Sequence, residues 1–68
     1  MQAERQRQEI LKQMIEAARA RGLEALSRQT EAGPVIVVGG PKGAIACLVT
    51  ESGFGVAAWA DIIKARLT

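Results

Sequence analysis

Two glycine-rich stretches are where residue spacing comes nearest to chemistry in this 68-residue chain. Gly53-Phe54-Gly55-Val56-Ala57-Ala58 reads G-x-G-x-x-A between a strand-like and a helix-like segment. In dinucleotide-binding proteins that spacing lets the backbone approach a pyrophosphate at a helix N-terminus, inside a parallel βαβ unit. Here the preceding strand belongs to a hairpin, so the plainer reading is a loop with positive φ and a closely packed helix start. Gly39-Gly40-Pro41-Lys42-Gly43 is rich enough in glycine to suggest phosphate. It lacks the Gly-Lys-Ser/Thr order of a P-loop and leads into a strand rather than a helix. A hairpin turn with a solvated Lys42 at its tip accounts for it.

The remaining inventory removes whole classes of site. Histidine and tyrosine are absent and Cys47 is the single cysteine. No Ser-His or Cys-His nucleophile pair can be built. Cys47 alone closes no intrachain disulfide, and a zinc site needs several Cys, His or carboxylate ligands. The acids are spread along a charged helix instead of converging. The expectation is therefore no enzyme, no cofactor and no metal. Nine Lys/Arg and seven Asp/Glu give a net charge of +2 and are interleaved rather than blocked, which is weak support for a polyanion partner. The polar start MQAERQRQEI is unlike a secretory leader. The longest apolar run, residues 34 to 50, is broken by Gly39, Gly40, Pro41, Lys42 and Gly43, whereas a membrane span needs about 20 apolar residues. A cytoplasmic chain with a reduced thiol and no membrane partner is expected.

The elements that would position these groups read as α-β-β-α, an α+β fold in a single domain spanning residues 1–68. Residues 2 to about 31 form one long amphipathic helix by composition, with Ile10, Leu11, Met14, Ile15, Ala18, Gly22, Ala25 and Leu26 on one face. Gly22 is ambiguous. A left-handed C-cap there, with Leu23 folding back and the helix restarting near Glu24, is the alternative to a continuous helix. The apolar phase runs on through Ala25 and Leu26, with Leu23 out of step, and favours continuity. Gly33-Pro34 then stops the helix. Strands follow at about 35–38 and 44–50, joined as an antiparallel hairpin, and a second helix at about 56–67 carries the stripe Val56, Trp59, Ala60, Ile63 and Leu67.

This layout leaves too much apolar surface for one chain. A two-stranded hairpin is marginal alone, and strands that do not alternate are normally covered on both faces. A helix of about 30 residues would reach about 45 Å. A twofold homodimer, joined through strands or helices, would meet both demands. Its candidate interface residues are Leu11, Met14, Ile15, Ala18, Gly22, Val35, Val37, Ile45, Cys47 and Val49. Arg7, Arg21 and Arg28 project on or beside the apolar stripe, while Arg5 and Arg19 sit among acids on the polar face. Arg at an apolar margin, a lone Trp59 and an off-stripe Ile62 are candidate contacts for a partner protein. The plainer reading is that the arginine stems cover the core edge, that Trp59 is core and that Cys47 is a small hydrophobe.

The expected function is a small protein-binding regulator. A small dimeric DNA-binding transcriptional regulator is the alternative, and the near balance of charge in the first 33 residues speaks against it. The Ala/Arg-rich helix (Glu16-Ala17-Ala18-Arg19-Ala20-Arg21) and the hairpin (Val35–Val38, Ala44–Val49) resemble small accessory proteins of temperate phages and plasmids. In size and layout the chain is similar to phage-encoded anti-activators that silence host regulators such as quorum-sensing transcription factors. That resemblance implies an inhibitor that docks on a host regulatory protein.

Overall fold

The computed structural model describes residues 2–49 and 55–68, with side chains from residue 5 onward. The order is helix α1 (Gln2–Ala20), strands β1 (Glu24–Thr30), β2 (Gly33–Gly40) and β3 (Gly43–Leu48), then helix α2 (Val56–Leu67). The α+β class holds, but the hairpin is a three-stranded antiparallel sheet in the order β1-β2-β3. The segment expected to carry the helix on to residue 31 is the edge strand β1.

The helix stops at Ala20 because Gly22 takes the left-handed conformation, with φ 82°. The Gly22 N–H donates to the Arg19 carbonyl at 3.0 Å and the Leu23 N–H to the Ala18 carbonyl at 3.1 Å. That pair of bonds is the Schellman cap, and its usual hydrophobic closure is supplied by Leu23 and Ala18, both buried. The out-of-phase Leu23 is therefore the informative residue: it follows the cap glycine and folds back. The continuous helix expected through Gly22 is thus overturned, and where the alternative reading had a helix restart near Glu24 the chain forms a strand. A 19-residue α1 spans about 28 Å, so the overlong rod inferred from sequence does not exist. The cap yields a test by sign. A Cβ at Gly22 meets nothing within 4 Å, so only the backbone conformation resists it. Gly22→Ala is expected to cost about 1–2 kcal/mol, read from urea unfolding. In a continuous helix the same change would stabilise by about 1 kcal/mol, and a gain of that size would refute the cap.

β2 is the central strand. Ile36 pairs with Ser27 on β1 and Cys47 on β3, and Val38 with Ala25 and Ile45. Cross-strand partners share a face. Ile36 and Val38 are fully buried beneath the helices, together with Leu11, Met14 and Ala18 of α1 and Ile63 and Leu67 of α2. Both helices therefore lie on one side of the sheet. The expectation that strands apolar on both faces would be covered on both faces is corrected here: the described residues cover one. The β2–β3 turn is Gly40-Pro41-Lys42-Gly43, with Gly40 and Gly43 paired. The mirror-image hairpin turns need positive φ at their first central residue, which Pro41 cannot adopt. Gly43, at φ 136°, absorbs the reversal instead.

Candidate interaction surface on the uncovered sheet face

Strand register divides the sheet by face. Opposite Ile36 and Val38 lie three cross-strand rows: Glu24–Gly39–Ala44, Leu26–Val37–Ala46 and Arg28–Val35–Leu48. Val35 and Val37 are half-buried by their neighbours alone, while Leu26 and Leu48 are 51% and 49% exposed. Two large aliphatic side chains half in water, on one continuous surface with two valines and two alanines, form an apolar patch rather than scattered exposure. Charge appears only along β1, with Glu24 at one end of the face and Arg28 at the other. Gly39 leaves a shallow hollow of about 380 Å³ between Glu24, Leu26, Val37 and Ala44.

The sequence candidates disperse around this surface. Val35 and Val37 lie on it. Leu11, Met14, Ala18 and Val49 are instead buried inside the single chain, and Ile15, Ile45 and Cys47 pack half-buried against the same core. Gly22 is exposed at the helix cap. The three arginines part company. Arg28 stands exposed on the uncovered face. Arg7 is half-buried near Gly33. Arg21 joins the helices: its Nε donates to Asp61 Oδ1 at 2.7 Å, Nη1 to the Ala17 carbonyl at 2.9 Å and Nη2 to the Ala57 carbonyl at 3.5 Å. Arg19, expected among solvated acids, donates from Nη2 to the Ala25 carbonyl at 3.0 Å and so ties α1 to β1. Trp59 packs half-buried against the core, its Nε1 hydrogen buried without an acceptor among the described residues. Ile62 is 55% exposed on the outer side of α2.

The Gly39–Gly43 stretch forms the β2–β3 hairpin turn. The Lys42 N–H at that turn donates to the Leu67 carbonyl at 3.0 Å and is engaged in seating α2. Gly53 and Phe54 of the other stretch lie outside the described residues, and Gly55 caps α2 in the left-handed conformation. Among the described residues no three His, Cys, Asp or Glu side chains group to hold a metal, and no helix is long and apolar enough to cross a membrane.

Sequence reasoning missed Leu26, Ala44, Ala46 and Leu48. Leu26 falls on a helical stripe when the segment is read as a helix. The others sit in a run where the residues on both faces are apolar, so alternation carries no signal. What the geometry defines is a two-layer α+β arrangement with one apolar sheet face left open by the described residues. Comparison with protein-family models, curated proteins and solved structures found no match.

Proposed function

We propose that this chain is a small protein-binding regulator without catalytic activity, an inhibitor that docks its open sheet face on a host regulatory protein such as a transcription activator. The observation that carries this reading is the aliphatic surface of Leu26, Val35, Val37, Ala44, Ala46 and Leu48, with one layer of helices behind it and, among the described residues, none in front. An apolar patch rimmed by charge is the usual form of a protein contact. Glu24 and Arg28 supply orientation, while the aliphatic rows supply the desolvated centre. The same face is a poor nucleic-acid surface, since one arginine and one glutamate offer no net attraction for phosphate.

The test is capture followed by inhibition. Tagged wild type is expected to retain a host regulator through a high-salt wash and to lower that regulator's activity when the purified proteins are titrated. Leu26→Lys, checked for native circular dichroism, is expected to lose both effects. Retention unaltered by Leu26→Lys, or a retained protein whose activity is unchanged, overturns the reading.

A further inference from the structure

The open face is complementary to itself, and we propose that in the free protein it is covered by a second copy of this chain, stacked sheet on sheet. This deepens the reading of that face as a docking surface by naming its resting occupant. Leu26–Val37–Ala46 is the middle of three rows, and the two outer rows are equidistant from it. A twofold axis along that middle row, across the strands, lays each outer row over the other row of the second copy. Glu24 then faces the second copy's Arg28, the Gly39 hollow faces its Val35, and Ala44 faces its Leu48. Acid meets base and small meets large at every outer position, twice over. The other axis that keeps the strands aligned runs along β2. It would set Glu24 over Ala44 and Arg28 over Leu48, burying charge on aliphatic surface without a partner. Both arrangements are isologous, and only the first is complementary in both charge and volume. Sheets stacked in this way sit about 10 Å apart with strands crossing at about −30°.

The footprint sets the strength. Three strands about 4.8 Å apart and five residues long at about 3.4 Å each cover roughly 14 by 17 Å. That is about 240 Å² per partner against the approximately 800 Å² of a standard interface, so the pair is weak and exchanges readily. A regulator held this way is shielded from aggregation while free and yields its face to a target that covers it better.

Glu24 and Arg28 are exposed, so their charges can be changed without disturbing the core. Sedimentation over about 5 to 500 µM should show wild type passing from one chain to two. Glu24→Arg alone, or Arg28→Glu alone, sets like charges opposite each other twice and should weaken self-association about tenfold or more. An equimolar mixture of these two variants restores every opposite pair and should form a mixed dimer as tight as wild type. Pairing edge to edge through β1 would respond to charge in the same way, and Leu48→Lys separates the two. Leu48 lies on β3, away from that edge, so its substitution breaks the stacked pair and spares an edge pair. A wild type that stays one chain, a mixture that fails to associate, or a Leu48→Lys variant that still pairs would each overturn the proposal. A monomeric wild type would leave capture of a regulator through Leu26 to be judged on its own result.

Discussion

Gly40→Val is expected to lower the melting temperature by on the order of 15 °C. A Cβ at Gly40 would lie 2.8 Å from the Leu67 carbonyl oxygen, 2.9 Å from Leu67 Cβ and 3.1 Å from Leu23 Cδ2. Two of those atoms cannot swing aside by a rotamer change, because one is backbone and the other is fixed to it. The Leu67 carbonyl is also held in place, accepting the Lys42 N–H at 3.0 Å. Relief therefore requires the last turn of α2 to lift from the sheet, exposing Leu67 and Ile63, both in the core. Overpacking of this kind costs about 1–3 kcal/mol or more, against a total of about 3–10 kcal/mol for a domain of this size. The neighbouring glycine is the control. At Gly39 the atoms nearest to an added methyl are Glu24 Oε2 at 3.9 Å and the Gly43 carbonyl at 4.0 Å. Gly39→Ala, melted at a concentration where the chain is single, should stay within about 0.5 kcal/mol of wild type. Equal tolerance at the two positions in thermal circular dichroism would show that α2 does not seat on Gly40.

The contrast between neighbouring positions also explains which parts of the fold can be read in advance. α2 is legible because its buried Ala60, Ile63 and Leu67 recur at helical spacing with Asp61, Lys64 and Arg66 outside. β1 is not. Glu24-Ala25-Leu26-Ser27-Arg28-Gln29-Thr30 is built mostly of good helix formers, and Thr30 alone is β-branched. It becomes a strand because β2 presents a full ladder edge that must be paired, so tertiary demand overrides local preference. The signal available in the sequence is the pair Gly22 and Leu23, a cap glycine followed by the one residue out of helical phase.

The uncovered face is harder still. Val35 and Val37 are among the residues expected to meet another chain, but for the reason that both faces of β2 would need cover. Burial follows from how many helices the chain has and on which side they fall, and two helices joined by Arg21 and Asp61 both fall on the Ile36 side. Nothing in the order of Val, Ile and Ala residues states that choice. The apolar surplus is legible as a quantity. Its location needs the register.

Ile36→Ala is the expected core counterpart, with a loss of about 2–5 kcal/mol and a melting temperature lower by about 10 °C or more. Ile36 is fully buried at the centre of the middle strand, between Ser27 and Cys47 and under the helix layer. Removing its branched end leaves a cavity that rigid sheet on one side and two helices on the other cannot close. Val35→Ala, one residue earlier, removes two methyl groups from the open face and should cost a single chain about 1 kcal/mol or less. The two losses should also differ in kind. The Ile36→Ala deficit belongs to one chain's core, so it should persist at every protein concentration. The Val35→Ala deficit should grow as concentration rises, because in the proposed pair the Val35 side chain faces the second copy's Gly39 hollow and stabilisation by association follows mass action. Melting curves of the two variants against wild type across a hundredfold concentration range, on the order of 5 to 500 µM, read this directly. A Val35→Ala deficit that is flat across that range would place Val35 outside any self-association, and an Ile36→Ala loss below about 1 kcal/mol would mean that the helices do not close over the sheet.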